Sequence, residues 1–429
     1  MQINGRLIFK WAKDLFPFHR SITGKGTEKT LSYLNNIIGN LKIHKIKSGS
    51  KIFDWIVPKV WEINKAYIKN QKGKKIVDYD LSNLHIIGYS IPFKGLISYD
   101  ELNKHLYSIP SQKNAIPFIT SYYRKKWGFC VTENERKKFK KQEKYEVLID
   151  SKFKNGHLKY GEFYKKGKVN TEIVFSTNIC HPSLGNNELS GILIATTLCK
   201  YIQKIDNFYS YRIVFVPETI GALCFLKKNY NNLKKIKAGF VLSCLGDNKN
   251  YSLIHSPYKN TYADKVSKFN YDYNKYKYKT YSFLKRGSDE RQYCSPRFNL
   301  PFCTLNRTRF GDYKEYHTSL DNLDLLSPSS LEKSYKMVKS LIEIIERNKK
   351  YIANVFGEPF LTKYKLKNET SGFNKPLEQE TKSILDIVAF SNGKNDLIDI
   401  SKFIKKDFLY LSKIAEKIEK LKIIKIINK

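Results

Sequence analysis

The residues of this chain that could perform chemistry are concentrated in polar turns. Only eight histidines occur among 429 residues. Two of them, His181 in ICHPSLGNNELSG and His317 in DYKEYHTSLDNLD, lie among small residues and acids. Imidazole and carboxylate groups from separate loops suit a catalytic zinc site, whose open coordination position lets the metal activate water near neutral pH. For either histidine alone, an ordinary hydrogen-bonded role is the alternative.

These turns need strands and helices to position them. Residues 172–180 are β-branched and aromatic, which predicts a buried strand, and residues 189–199 follow polar capping residues as a predicted helix. Strands and helices alternate over residues 131–350, which predicts an α/β fold with a mostly parallel sheet flanked by helices. Ligands of such sheets gather beyond the carboxyl ends of the strands. The polar residues expected there include His181, Asn186, Asn187, Glu188 and Ser190 after the first strand, Glu218 after the second, and Ser243 and Cys244 after the third.

Changes in the sequence pattern along the chain predict its division into domains. The N-terminal segment has helical spacing, short β-rich runs broken by Pro and Gly follow it, and a polar stretch precedes three helical pieces with a β-like tail. The last pattern is typical of a winged helix. The expected organisation is an α/β domain at 1–52 and 131–350, an inserted small β-rich domain at 53–130, a linker at 351–380 and a winged-helix domain at 381–429.

Composition limits the classes of protein and partner. The 77 Lys and Arg against 40 Asp and Glu give a net charge of +37, which would suit nucleic acid, anionic lipid or an acidic polysaccharide. The lysines accompany Asn, Ile and Tyr throughout without a compact basic block, however, which favours compositional drift. Seven scattered cysteines without CxxC spacing indicate reduced thiols. With no run of 18 apolar residues, we expect a soluble cytoplasmic protein without a membrane span.

Several segments together resemble a known family. They are LFPFHRSITGKG, FDWIVPKVW, TSYYRKKWGFC, NICHPSLGNNELSG, VPETIGAL, GSDERQYCSP and EYHTSLDNLD. Their order resembles that of zinc aminopeptidases of the bacterial leucyl aminopeptidase type. More narrowly, the chain is similar to the aminopeptidase-like proteins encoded among surface-polysaccharide biosynthesis genes, which have an inserted small domain and a C-terminal winged helix. The resemblance spans essentially the whole chain.

The resemblance implies roles for individual residues. His181 and His317 match metal-binding histidines, Glu218 matches the acidic position after the second strand, and Asp289 matches the acid of an SD motif. The candidate metal ligands are His181, Glu188, Glu218 and His317, and the candidate catalytic residues are Glu218 and Asp289. The related enzymes bridge two zinc ions with an aspartate where this chain has Asn187. Their next acid falls at or near Ser243 or Cys244, so one zinc ion is expected.

The role of Glu218 stays open in the sequence. The related enzymes have paired acids here, one as general base and one as ligand, whereas Pro217 precedes a single Glu218. Either Glu218 is a ligand and another acid, Glu188, Asp289 or Glu290, handles the proton, or Glu218 is the base and the histidines hold the metal. The candidate substrate-binding residues are Asn187, with Arg286, Arg291 and Arg307 as possible bidentate partners of a substrate carboxylate.

The resulting hypothesis is a mononuclear zinc hydrolase that cleaves an amide bond, in a peptide or in an aminoacyl-sugar of surface-polysaccharide biosynthesis. One alternative is a non-catalytic, metal-containing protein that recognises a sugar or peptide intermediate. A second alternative is a DNA-binding regulator that acts through the winged helix. Nucleic acid is the less favoured partner, because FLYLSKIAEKIEKL has no Arg, Asn or Gln for reading bases. A protein partner for the winged helix is favoured instead.

Overall fold

The computed structural model describes residues 3–366 and 378–427. It divides into two compact units, Met1–Asp206 with Ser210–Val338, and Asn207–Tyr209 with Lys339–Lys429. Among the described residues, no helix combines the length and the apolar character that crossing a membrane requires.

The helices of the first unit are α1 (Gly5–Leu15), α2 (Lys25–Ile38), α3 (Tyr99–Asn103), α4 (Glu133–Arg136), α5 (Ser190–Ile202), α6 (Ile220–Lys228), α7 (Tyr262–Tyr273), α8 (Glu290–Tyr293) and the first part of α9 (Pro328–Arg347). Its strands are β1 (Lys42–Lys47), β2 (Lys51–Ile52), β3 (Trp55–Ile56), β4 (Val60–Lys69), β5 (Lys75–Asp78), β6 (Phe93–Ser98), β7 (Leu106–Tyr107), β8 (Phe129–Cys130), β9 (Lys144–Lys154), β10 (His157–Lys165), β11 (Glu172–Asn178), β12 (Ser210–Val216), β13 (Ile236–Leu242), β14 (Tyr251–Ile254), β15 (Tyr278–Tyr281) and β16 (Phe302–Asn306).

An eight-stranded sheet of order β1-β10-β12-β11-β13-β16-β14-β15 is the centre of the first unit. Strands β12, β11, β13 and β16 are mutually parallel, while β10 and β14 join them antiparallel on either side. The predicted α/β fold is therefore confirmed, with a parallel centre and a mixed periphery. Every residue of β11 is buried, its polar residues included, because helices cover both faces of a central parallel strand.

Helix α5 packs closely under this sheet. A Cβ atom on Gly191 would lie 2.4 Å from the carbonyl oxygen of Leu242 at the end of β13, so only glycine allows the helix to approach the strand. One π-helical turn, Gly185–Leu189, precedes α5, and Asn187 within it has non-helical dihedral angles. The turn between β11 and α5 is thereby held against the carboxyl ends of the central strands.

The inserted β-rich region extends further than the sequence indicated. A second sheet has the order β5-β4-β9-β6, and β9 pairs antiparallel with β4 and β6 rather than joining the large sheet. The assignment of YEVLID, residues 145–150, to the α/β alternation is therefore wrong. Alternate residues of β9 are buried and more exposed, the pattern of an antiparallel sheet with one covered face. Strand β1, in the region with helical spacing, was likewise missed.

The second unit contains β17 (Lys350–Ala353), α10 (Gln379–Phe390), β18 (Asn392–Asp396), α11 (Leu397–Ile404), α12 (Phe408–Lys420) and β19 (Ile424–Ile427). Strand β17 lies between β18 and β19 in an antiparallel sheet. The expected linker at 351–380 therefore begins inside this sheet, and α10 starts before residue 381. A short pattern of four residues is too little to identify such a strand from sequence. Residues 367–377 of that linker lie outside the described residues.

Candidate functional site

His181 lies three residues beyond the end of β11, and the carboxylate of Glu188 holds it from behind. Glu188 Oε1 accepts the backbone N–H of His181 at 2.9 Å, and Oε2 lies 2.6 Å from His181 Nδ1. Both residues are buried. A carboxylate on Nδ1 sets the orientation and tautomer of an imidazole. The Nε2 atom of His181 is therefore the nitrogen that remains for other chemistry.

Arg20, from the turn between α1 and α2, completes a buried trio with His181 and Glu188. Its Nε donates to the carbonyl oxygen of His181 at 2.9 Å and lies 3.6 Å from Glu188 Oε1. Burial alone would raise the pKa of Glu188, but the charges of His181 and Arg20 hold it below its ordinary value. Burial alone would lower the pKa of His181, yet the Glu188 carboxylate raises it. The trio thus keeps Glu188 ionised.

Glu218 and His317 approach His181 from two other loops. Glu218 lies just beyond β12, with Oε2 3.7 Å from His181 Nε2 and Oε1 3.2 Å from the Arg291 guanidinium. The rings of His181 and His317 are 5.3 Å apart, and His317 stacks on Tyr316. His317 Nε2 is buried without a hydrogen-bond partner. Burial and the charge of His181 lower the pKa of His317 to about 3, so its imidazole is neutral at physiological pH.

Asp289 supports the turn that carries Glu218 and does not line the cavity. Its Oδ1 accepts the backbone N–H of Thr219 at 2.7 Å, and Thr219 has a φ of 65° that a β-branched residue rarely adopts. Asp289 is fully buried, and its Oδ2 has no hydrogen-bond partner. Burial, with the negative charge of Glu218, raises its pKa well above the ordinary value. Asp289 is therefore placed to act through Thr219 rather than on a substrate.

Asn187 lies beside a carboxylate that the sequence analysis did not single out. Asp321, within the quoted segment EYHTSLDNLD, accepts the backbone N–H groups of Asn186 and Asn187 at 2.6 and 3.0 Å and the hydroxyl of Tyr313 at 2.8 Å. The side-chain nitrogen of Asn187 is buried without a partner, and its oxygen is 3.9 Å from Cys244 Sγ. The signal available in the sequence for Asp321 was the pair of aspartates that follows His317 in EYHTSLDNLD.

The three candidate arginines have different surroundings. Arg291 lines the cavity and donates to Glu218 and to the Thr219 hydroxyl. Arg286 is exposed over the ring of Phe283 and does not line the cavity. Arg307 is buried, and its guanidinium donates to the main chain and to neighbouring hydroxyl groups. A substrate-binding role for Arg286 or Arg307 therefore has no support from the geometry, because neither guanidinium reaches the cavity.

The cavity in front of these groups measures about 310 Å³. Its lining residues are Ile22, Trp55, Phe118, Thr120, Tyr122, Tyr123, Cys180, His181, Glu218, Thr219, Ile220, Arg291 and His317. Three aromatic residues of the inserted region, Trp55, Tyr122 and Tyr123, are among them. Trp61, Tyr89 and Trp127 are instead buried in the core.

Two sets of residues could be considered for a metal ion. Ligand atoms of Cys180, His181 and Glu188 lie within 4.8 Å of one another. That set fits zinc poorly, because burial raises the pKa of the Cys180 thiol well above its ordinary value and Glu188 already serves His181. Glu188 therefore contacts the candidate ligand His181 from the side away from the cavity and does not line the cavity itself. The set of His181, His317 and Glu218 lines the cavity and offers the donor types of a zinc site, and the Nε2 atom of His317 is buried there without a hydrogen-bond partner.

The fold and this cavity define the class of protein, an α/β protein with an aminopeptidase-like fold. Among solved structures, a zinc aminopeptidase from Bacillus subtilis matches with a TM-score of 0.59 at 10% identity, over 80% of this chain and 95% of that one. An aminopeptidase from an Aneurinibacillus strain matches with a TM-score of 0.51 at 12% identity, over 79% and 93% of the two chains. At such identity these likenesses show the fold alone.

The chain belongs to the domain family DUF4910, described as a domain of unknown function, whose profile matches residues 9–348. A winged helix-turn-helix profile matches residues 349–426, so the predicted winged helix is confirmed. A Clostridium acetobutylicum relative, provisionally named a polysaccharide biosynthesis protein with an aminopeptidase-like domain, is 38% identical over 99% of this chain and 97% of its own. A crystal structure from that organism, provisionally titled a peptidase, has a TM-score of 0.89 at 37% identity, over 99% and 96%. The family resemblance expected from the sequence is confirmed.

Proposed function

We propose that this protein is a zinc-dependent hydrolase of the aminopeptidase type that holds one zinc ion and cleaves an amide bond. The supporting observation is that His181, His317 and Glu218 meet at one cavity while Glu188 occupies the other ring nitrogen of His181. Two imidazoles and one carboxylate form the three-ligand set of a catalytic zinc ion, with a fourth position open.

One ion is proposed because the neighbouring polar groups are poor ligands for a second. Asn187 is neutral, and burial raises the pKa of Cys244 to about 12. The carboxylate of Asp321 is already occupied by two backbone N–H groups and the Tyr313 hydroxyl. A second dication would therefore lack a neutralising ligand.

The protein's own residues have separate tasks in this proposal. Zinc, when bound, would polarise the amide carbonyl and supply a nucleophilic water near neutral pH. Glu188 and Arg20 hold His181 in place, and Asp289 holds the turn of Thr219 that positions Glu218. Arg291 is the cationic group available in the cavity for a substrate carboxylate. Together these residues would orient the scissile bond.

The substrate class proposed is a small peptide or an aminoacyl-sugar. Support comes from the name of the Clostridium relative, which refers to polysaccharide biosynthesis, and from the aromatic wall that Trp55, Tyr122 and Tyr123 give the cavity. Such walls take up apolar or ring-shaped groups, while a few polar groups orient the ligand.

Metal analysis combined with turnover of aminoacyl arylamides tests the proposal. We expect about one zinc ion per chain after dialysis and hydrolysis that is lost in His181→Ala and His317→Ala. In Glu218→Gln, hydrolysis should also be lost. Zinc retained in that variant would make Glu218 the proton acceptor, and zinc lost would make it a ligand. Two tightly held ions per chain would refute the proposal of a single zinc ion. Normal turnover of Glu218→Gln with normal zinc content would refute both proposed roles of Glu218.

A non-catalytic binding protein is the second candidate, and one observation favours it. Glu218 is the one carboxylate among the described residues that line the cavity. If it is a zinc ligand, no other cavity carboxylate remains to accept a proton. Stoichiometric zinc without turnover, combined with saturable binding of an aminoacyl-sugar, would support this candidate over the hydrolase.

A further inference from the structure

An exposed apolar strip borders the mouth of the cavity. It consists of Phe53, Trp55, Ile56, Tyr123 and Tyr230, and is called the apolar rim below. The exposed fractions of these residues run from 36% for Phe53 to 57% for Ile56. The ring of Phe53 contacts that of Tyr230, the ring of Trp55 contacts that of Tyr123, and the Tyr123 hydroxyl donates to the carbonyl of Ile56. These contacts form two groups, Phe53 with Tyr230 and Trp55 with Tyr123 and Ile56, and the β2–β3 hairpin connects them through the chain.

Part of the rim lies on a β-hairpin, and part of it lines the cavity. Strands β2 and β3 are joined by the two-residue turn Phe53–Asp54, so Phe53 lies at its tip. Trp55 and Tyr123 belong both to the rim and to the cavity lining. Contiguous exposed apolar residues of this kind mark interaction sites on soluble proteins. Whatever covers the rim therefore lies next to the cavity entrance.

The residues that flank the rim are strongly basic. Arg124, Lys125 and Lys126 follow Tyr123 directly and are exposed, and Lys227 donates to the backbone of Lys51 beside the hairpin. Asp54 is the one acid within residues 51–56 and 121–126. A second copy of the chain is disfavoured as the occupant, because a two-fold interface would bring the same basic groups together. The surface calls for an anionic partner.

We propose that the apolar rim and its basic flank bind the surface of an anionic lipid bilayer and place the cavity mouth at the membrane–water interface. Trp and Tyr side chains favour this interface, because the apolar part of the ring can enter the bilayer while its N–H or O–H group stays hydrated. Basic residues near an anionic surface each strengthen binding by about fivefold. Binding at such an interface strengthens with the apolar area buried and with the attraction to anionic lipids, and the rim and its flank would contribute one each. The inference concerns binding alone and does not rest on the proposed hydrolase activity.

Sedimentation with vesicles tests the apolar part. We expect the full chain to bind vesicles of 30% phosphatidylglycerol in phosphatidylcholine and not vesicles of phosphatidylcholine alone. Trp55→Ser combined with Ile56→Ser should weaken binding about tenfold or more, because both side chains would lose their place in the interface. Leu96→Ser combined with Tyr258→Ser, which alters two exposed apolar residues elsewhere in the unit, should bind like the wild type. Equal binding by the rim variant would overturn the proposal.

A charge-reversal pair tests the basic flank against the overall charge of +37. Lys125→Glu combined with Lys126→Glu should weaken binding by about 25-fold or more at constant salt. Lys275→Glu combined with Lys277→Glu makes the same change in net charge at another exposed site and should have a much smaller effect. Equal losses in the two variants would show attraction by net charge only. A wild-type dimer that Trp55→Ser with Ile56→Ser converts to a monomer would instead assign the rim to self-association and overturn the proposal.

Discussion

Arg20 and His181 are joined by a hydrogen bond of 2.9 Å from the guanidinium Nε to a backbone carbonyl, although 161 positions separate them in the chain. The guanidinium also donates to the carbonyl of Leu15 and lies 3.6 Å from Glu188. Arg20 has no exposed surface, and its charge, together with that of His181, keeps the buried Glu188 ionised. The loop after α1 is thereby tied to the candidate site.

Removing the charge of Arg20 should destabilise the first unit strongly. In Arg20→Gln the ionised Glu188 would be left with less compensation, and breaking a buried pair in this way costs about 3–5 kcal/mol. Urea unfolding followed by circular dichroism measures the change. Arg6→Gln, at an exposed position, should stay within about 0.5 kcal/mol of the wild type. A stability of Arg20→Gln close to that control would contradict the assignment.

Glu188→Gln should weaken zinc binding without abolishing it. Losing the carboxylate that orients a metal-ligating histidine typically costs about 10–100-fold in metal affinity. Competition with a chromophoric chelator gives the affinity, and Glu28→Gln, a partly exposed acid paired with Lys159, serves as the control. Affinity equal to that of the wild type, or a loss as complete as in His181→Ala, would show that Glu188 has a different role.

The metal-free protein should lose stability as the pH falls from about 6.5 to about 4, and His19 should account for part of this loss. Burial, with the charge of Arg20, lowers the pKa of His19 to about 4 from an ordinary 6.5. The unfolded chain therefore binds more protons in this window, and stability present above pH 6.5 is lost toward pH 4, by up to about 3 kcal/mol.

The variant His19→Gln isolates this contribution. Its free energy of unfolding in urea should decline less steeply between pH 7 and pH 4.5 than that of the wild type, because the titrating imidazole is gone. Carboxylates that titrate in both proteins cancel in the comparison. Identical slopes for the two proteins would mean that His19 does not titrate as described.

Any affinity of the winged-helix unit for DNA should be independent of the DNA sequence. Helix α12, in the position of a recognition helix, has Lys residues but no Arg, Asn or Gln, which are the common bidentate readers of guanine and adenine. Fluorescence anisotropy with two unrelated duplexes at 50 and 200 mM salt measures this. Equal affinities that fall steeply with salt are expected. A large preference for one duplex would favour the regulator hypothesis.

The sequence by itself determined the fold class, the winged helix and the turns that contain His181, Glu218 and His317. The physical reason is local. Continuous apolar runs specify buried parallel strands, and polar residues directly after them must emerge at the same edge of the sheet. The quoted family segments extend along the whole chain, so they also indicated the family.

Tertiary structure alone decided which side chains meet. It placed the Glu188 carboxylate against Nδ1 of His181 and the Arg20 guanidinium near that carboxylate. It also buried Arg307, whose guanidinium donates to hydroxyl and carbonyl groups of residues distant in sequence. It also moved β9 into the second sheet, because pairing with β4 and β6 depends on partners about 50 to 90 residues away. Local sequence patterns do not specify such partners. The sequence around a carboxylate or a guanidinium is the same kind of pattern whether the group supports another residue, binds a ligand or only packs in the core.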